Sequence, residues 1–143
     1  MRPVAVIVSA GLVTGLAGCS PCGRVTVGPP GGTPVLDLCV DLAITAVERR
    51  TGLRGAEPPA DDGGLLLEFP GEGTVCLDNE SVAFDIDAVY ANDAGELVQV
   101  RRLLADDPRP VCDVNVRRVL EVLAGRADAV SLDHVMTVPA RLR

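Results

Sequence analysis

Apolar and polar residues alternate along Leu36, Leu38, Val40 and Leu42, with Asp37, Cys39 and Asp41 between them. A period of two places the sets on opposite faces of a strand, one buried and one wet. Thr45 and Glu48 then stand three apart, the spacing of a capping box in which each side chain satisfies a backbone N–H at a helix start. Gly52 supplies a left-handed stop, so a helix of about two turns is predicted. Pro58 to Gly64 is a turn-rich connector, and Leu65 to Phe69 reads as a largely buried strand closed by Pro70 and Gly71. Thr74 to Leu77 and Val82 to Tyr90 are further expected strands. In the latter, Phe84, Ile86, Ala88 and Tyr90 share one face while Asp85 and Asp87 share the other. Asn92-Asp93-Ala94-Gly95 offers turn chemistry, which predicts a hairpin of Val82–Tyr90 with Glu96–Arg102. Val116 to Leu123 fits a helix or a strand by period alone, and Val135 to Val138 reads as a last strand before Pro139.

Before this patterned region, Arg2 precedes an apolar run from Val4 to Leu16 that ends in Leu16-Ala17-Gly18-Cys19. A membrane-spanning helix needs about 20 apolar residues, and this run is shorter. A basic start, a short apolar centre and a small-residue exit describe a cleaved signal. The ending resembles the lipobox of bacterial lipoproteins, which implies cleavage before Cys19 and acylation of its sulfur. Several acyl chains hold a protein stably at a bilayer where a single chain holds only marginally. The expected organisation is a signal over residues 1–18, a Gly/Pro-rich tether over 19–34 and one domain over 35–143. Val25 and Val27 are the only hint of a strand within that tether. The expected location is the cell envelope, on the outer side of the inner membrane or at the outer membrane.

Cysteine parity points the same way. Of five cysteines, lipidation of Cys19 would leave an even set, Cys22, Cys39, Cys76 and Cys112, for disulfides in an oxidising compartment. Their pairing stays open at this level, and inert buried thiols are the alternative. The net charge of −7 at pH 7 disfavours nucleic acid, whose binding leaves a clustered basic footprint. Every basic residue is an arginine, and Arg49-Arg50, Arg101-Arg102 and Arg117-Arg118 read as solvated positions scattered among acids. Phe69, Phe84 and Tyr90 are the only aromatics. They are too few for sugar-stacking platforms or cation cages.

Several of these pieces together resemble one small bacterial and archaeal family, domain of unknown function 192. Glu48-Arg49-x-x-Gly52-Leu53 is similar to its early Glu-Arg-x-x-Gly-Leu element, and Gly64-Leu65-Leu66-Leu67-Glu68-Phe69-Pro70 to its Gly-Met-Leu-Phe-x-Phe-Pro strand. Val119-Leu120-Glu121-Val122-Leu123-Ala124-Gly125 is nearly its Val-Leu-Glu-Val-x-Ala-Gly element. The family signature, Trp-Met-Lys-Asn-Thr and then Leu-Asp, falls on Cys76 to Glu80 and on Phe84-Asp85, where only Asn79 and Asp85 keep their identities. The resemblance implies an α+β, β-rich fold: a curved mixed or antiparallel sheet closing toward a barrel, with one or two short helices. It also turns Val119 to Leu123 toward strand, with Gly125 to Val130 as a brief helical turn. It implies no reaction.

The densest polar cluster is Asp78, Asn79, Glu80, Asp85 and Asp87. Such residues bind ligands, share protons as acid and base, or satisfy stray backbone donors at turns. His134, the only histidine, excludes a three-histidine zinc site, and its nearness to Ser131 and Asp133 is not a triad, whose members meet in space. No catalytic, cofactor or metal set is expected. The leading expectation is a membrane-anchored binding or interaction domain for an envelope protein or small ligand. An envelope enzyme using Asp78, Glu80, Asp85 or Asp87 and a purely structural domain are the alternatives.

Overall fold

A computed structural model describes residues 22–143; the apolar run from Val4 to Leu16 and Cys19 lie outside the described residues. Seven strands form one sheet in the order β5-β4-β6-β3-β2-β1-β7. They are β1 (Gly23–Gly28), β2 (Leu36–Ala43), β3 (Leu65–Leu77), β4 (Ile86–Ala91), β5 (Leu97–Leu103), β6 (Val111–Leu123) and β7 (Val135–Thr137). Only β2 and β3 pair in parallel; helix α1 (Ala46–Thr51) and the turn-rich connector make that crossover. The sheet curls into a half-barrel until its two outer strands approach each other, with Glu96 bridging Val135 and the Met136 N–H donating to the Gly95 carbonyl at 2.7 Å. With one helix and a 3-10 turn at Ala140–Leu142 among the described residues, the α+β label fits loosely; the domain is mostly β.

Curling a sheet gives it an inside and an outside, and here both are covered. Val25, Val27, Leu38, Val40, Leu120 and Val122 pack on one face, whereas Leu65, Leu67, Ile86, Ala88, Tyr90 and Val119 pack on the other. β4 is buried at all six residues. A strand buried on both faces has no period of two, which is why Val116–Leu123 is ambiguous in sequence. It is the end of β6, as the family resemblance implies, and residues 124–129 are turns.

Three boundaries differ from the sequence expectation. The tether does not extend to residue 34, because Val25 and Val27 are fully buried and β1 joins β2 to β7. Pro29 to Pro34 form the loop between β1 and β2, and the Val35 N–H reaches back to the Val27 carbonyl at 2.8 Å. The two strands expected on either side of Pro70 are one strand, β3. Between the Glu68↔Arg118 and Gly73↔Val116 pairs its register with β6 slips, so Pro70 faces no ladder partner that would need its missing N–H. Finally, β4 begins at Ile86 rather than Val82. Ser81 takes a left-handed φ of 60°, and the Val82 N–H closes a turn on the Asn79 carbonyl at 3.2 Å.

Both cysteine pairs are bridged, Cys22 to Cys39 and Cys76 to Cys112. The first staples the start of β1 to β2, and the second joins residues directly opposite in β3 and β6. The capping box forms as the sequence predicts: the Glu48 N–H donates to Thr45 Oγ1 at 3.2 Å, and the Thr45 N–H donates to Glu48 Oε2 at 2.8 Å.

Of the three arginine pairs, Arg117-Arg118 departs furthest from expectation. Arg118 is 3% exposed and grips Glu68 with two bonds, Nε to Oε2 at 2.9 Å and Nη2 to Oε1 at 3.1 Å. Arg117 adds a contact of 2.6 Å to Glu68 and one of 3.2 Å to Asp93. These residues are buried or half-buried ion-pair members, not solvated ones. Glu68 lies directly opposite Arg118 across β3 and β6, and Arg117 reaches it as well.

Candidate functional site

Helix α1 ends against the sheet, and a cavity of about 160 Å³ opens beneath its last turn. Its walls come from three separated stretches: residues between Arg49 and Arg54 at the end of α1, Cys76 to Asn79 at the end of β3 with Val82 of the turn that follows, and Glu121 of β6. These coincide with the early Glu-Arg-x-x-Gly-Leu element, the signature position of Asn79 and the late Val-Leu-Glu-Val element that carry the family resemblance.

Glu121 is the least expected of these residues. It sits on the face that carries Val119, paired across the sheet with Leu65 on one side and Ala88 on the other. It is 5% exposed, and its Oε2 has no hydrogen-bond partner. A charge taken from water without compensation favours its neutral form. Burial pushes the Glu121 carboxyl up to about 7, against a weaker pull from the Arg54 guanidinium. Gly52 leaves room here, since a Cβ at that position would stand 4.0 Å from Glu121 Oε2 and 3.9 Å from an Arg54 nitrogen.

Asn79 is the second buried polar wall, 1% exposed. Its amide donates to the carbonyls of Phe84 at 3.0 Å and Leu104 at 2.9 Å, pinning the turn before β4. Its Oδ1 is left without a partner. Arg54 forms an ion pair with Asp78 and donates to the Arg50 carbonyl at 3.0 Å. Arg49 donates to the carbonyls of Ile44 and Glu68 and lies over the Phe69 ring, 5.1 Å from its centre.

Of the five clustered residues singled out in sequence, only Asp78 and Asn79 line this cavity. Glu80 is exposed and donates its backbone N–H to Asp78 Oδ1 at 3.0 Å. Asp85 accepts the Ala105 N–H at 2.7 Å. Asp87 is buried on the other face, where it accepts from Arg102 at 2.9 Å and from the backbone N–H of Gly125 at 2.7 Å and Ala127 at 3.2 Å. Asp78, Asp85 and Asp87 therefore serve separate partners. His134 accepts the Ser131 N–H on Nδ1 at 3.2 Å, a local turn contact, and Cys76 and Cys112 are bridged. Among the described residues no group of three His, Cys, Asp or Glu side chains could hold a metal ion, and no helix is long and apolar enough to cross a membrane.

Glu121 was the residue that sequence reasoning passed over. The available signal was its place as the one charged residue inside Val119-Leu120-Glu121-Val122-Leu123, where a strand buried on both faces cannot show it to water.

The buried carboxyl carries a sign for stability. In the folded state its pKa is about 7, against an ordinary 4.5, so between these values the folded chain holds a proton that the unfolded chain has lost. Stability then falls as pH rises through that window, by up to about 3 kcal/mol, and is flat above it as far as this group is concerned. Urea unfolding of the parent and of Glu121→Gln from pH 4.5 to 8 should show this slope only in the parent; equal slopes would contradict it.

A curled, β-rich half-barrel with a small polar cavity under helix α1 is the class that the geometry defines. The DUF192 family, described as "Uncharacterized ACR", matches residues 29–139, and the chain belongs to that family. Among solved structures, the fold is similar to a protein of Sinorhizobium meliloti titled as a candidate transcription regulator. That likeness has a TM-score of 0.76 at 22% identity, over 81% of this chain and 92% of that one. It is also similar to a protein of unknown function from Novosphingobium aromaticivorans, with a TM-score of 0.71 at 18% identity over 81% and 83%. At these identities the likeness concerns the fold. No curated protein matches the chain.

Proposed function

We propose that this protein is an envelope lipoprotein, held to a membrane by acyl chains on Cys19, whose domain binds a small ligand in the Glu121 cavity without transforming it. The observation that carries the binding reading is that two residues lining one cavity, Glu121 and Asn79, each hold a buried side-chain oxygen without a partner, Oε2 and Oδ1. Leaving such an atom unpaired costs about 1–3 kcal/mol, and a ligand that supplies donors recovers it. The apolar run from Val4 to Leu16 and the Leu16-Ala17-Gly18-Cys19 ending support the address.

An enzyme built on Asp78, Glu80, Asp85 and Asp87 has less support, because three of these carboxylates are committed to different structural partners. A DNA-binding role has less still. The net charge is −7, and Arg24, Arg54, Arg101, Arg102, Arg109, Arg117 and Arg118 are tied to carboxylates.

The address is tested by expressing the full chain in a bacterium fed radiolabelled palmitate. The parent is expected to take up label and Cys19→Ser to take up none. An unlabelled parent whose intact mass retains Met1 would remove the lipoprotein reading and leave the cavity untouched.

A further inference from the structure

We infer that the Glu121 cavity accepts a small zwitterion of the amino-acid type, its ammonium held by Glu121 and Asn79 and its carboxylate by the arginine at the mouth. The inference rests on the binding reading above and adds the ligand's chemistry.

Two residues of the cavity lining carry buried oxygens without a partner. Glu121 Oε2 and Asn79 Oδ1 both lack a donor, and the remaining capacity of the Asn79 amide is spent on the Phe84 and Leu104 carbonyls. An ammonium, with three N–H donors, can serve both oxygens and neutralise the buried carboxylate. The rim has the opposite character. Arg49 and Arg54 are already engaged, by the Ile44 and Glu68 carbonyls and by Asp78 with the Arg50 carbonyl respectively. The Arg50 guanidinium is exposed and has no acceptor among the described residues.

Charge decides between simpler ligands. A plain cation would satisfy these oxygens but meet the guanidiniums of Arg49, Arg50 and Arg54 with nothing to offer them. A plain anion would suit Arg50 but leave Asn79 Oδ1 unpaired and require Glu121 to be neutral. A molecule carrying both charges on adjacent carbons answers both ends. The volume of about 160 Å³ restricts it to a small side chain, and Leu53, Leu77 and Val82 supply an apolar wall for a methyl group.

The groups around Glu121 are Arg54, Arg49 and Arg50 from the α1 side, Asp78 from the end of β3 and Tyr90 from β4. Because Glu121 is partly protonated near neutrality, seating an ammonium on it should expel a proton. Seating an anion should take one up.

The test is a titration of the isotopically labelled parent with glycine, L-alanine, methylammonium, acetate and glycerol. It is followed by amide NMR, with calorimetry in two buffers of different ionisation heat. Glycine and alanine are expected to shift the Gly52, Leu53, Asn79 and Glu121 amides saturably, with proton release. Glu121→Gln should weaken both by about tenfold or more. Arg50→Ala, at an exposed position that leaves the core intact, should weaken glycine but not methylammonium. Binding of glycine that is indifferent to both substitutions overturns the inference. If acetate, methylammonium or glycerol binds as well as glycine, the zwitterion falls while the binding reading stands. If no probe moves these amides at millimolar concentration, both fall.

Discussion

Truncation of Arg118 to alanine is expected to destabilise the domain by about 3–5 kcal/mol, the loss typical when one partner of a buried ion pair is removed. Its guanidinium is almost wholly enclosed, makes two bonds to Glu68 and reaches the Leu142 carbonyl at 3.3 Å. Without it Glu68, itself 5% exposed, keeps only Arg117. The cost is the stranded charge more than the lost attraction, which yields a second expectation. Replacing both partners, as Glu68→Leu with Arg118→Leu, should recover most of the loss, because packed apolar side chains often equal or exceed a buried pair. Urea unfolding of the single and double variants decides this. A single-variant loss below about 1 kcal/mol would mean that water reaches Glu68 and that the pair is effectively at the surface.

The second large effect is expected from the Cys76–Cys112 bridge. It closes a loop with a sequence separation of 36, against 17 for Cys22–Cys39. By the chain-entropy relation these loops correspond to about 4 and about 3 kcal/mol of restriction on the unfolded chain. Cys76→Ser with Cys112→Ser should therefore lower the urea-unfolding free energy more than the corresponding change at Cys22 and Cys39. If the two double variants lose the same small amount, the stabilisation does not come from loop restriction.

How far the fold could be read depended on how water met each strand. Leu36 to Leu42 was legible because β2 alternates buried and exposed residues along most of its length. The Asn92–Gly95 turn was legible because Gly95 takes a φ of 87°, a conformation that favours glycine. The Val116–Leu123 end of β6 was not legible by period, because both faces of the strand are largely dry there. Val25 and Val27 were hidden by the Gly and Pro residues around them, although two valines at alternate positions were the trace of β1. Pro70 misled by its usual meaning: proline ends a strand that needs a ladder bond there, and this one does not. The site was the least legible part. Asp78 and Asn79 stood out as polar neighbours, yet Glu121 and Arg54 lie far from them in sequence and meet them only once β6 packs beside β3 and α1 folds over the gap. Local polar density found turn-pinning residues such as Asp85 and Asp87 just as readily.

The early start of β1 bears on reach. Cys22 is already stapled to Cys39 and Gly23 is already in the sheet, so a lipid on Cys19 would leave Ser20 and Pro21 as the whole leash. At no more than about 3.6 Å per residue, that holds the domain within roughly 10 Å of the headgroups. So anchored, the domain would patrol a thin layer of bilayer surface and sample what diffuses there, instead of ranging through the compartment beyond.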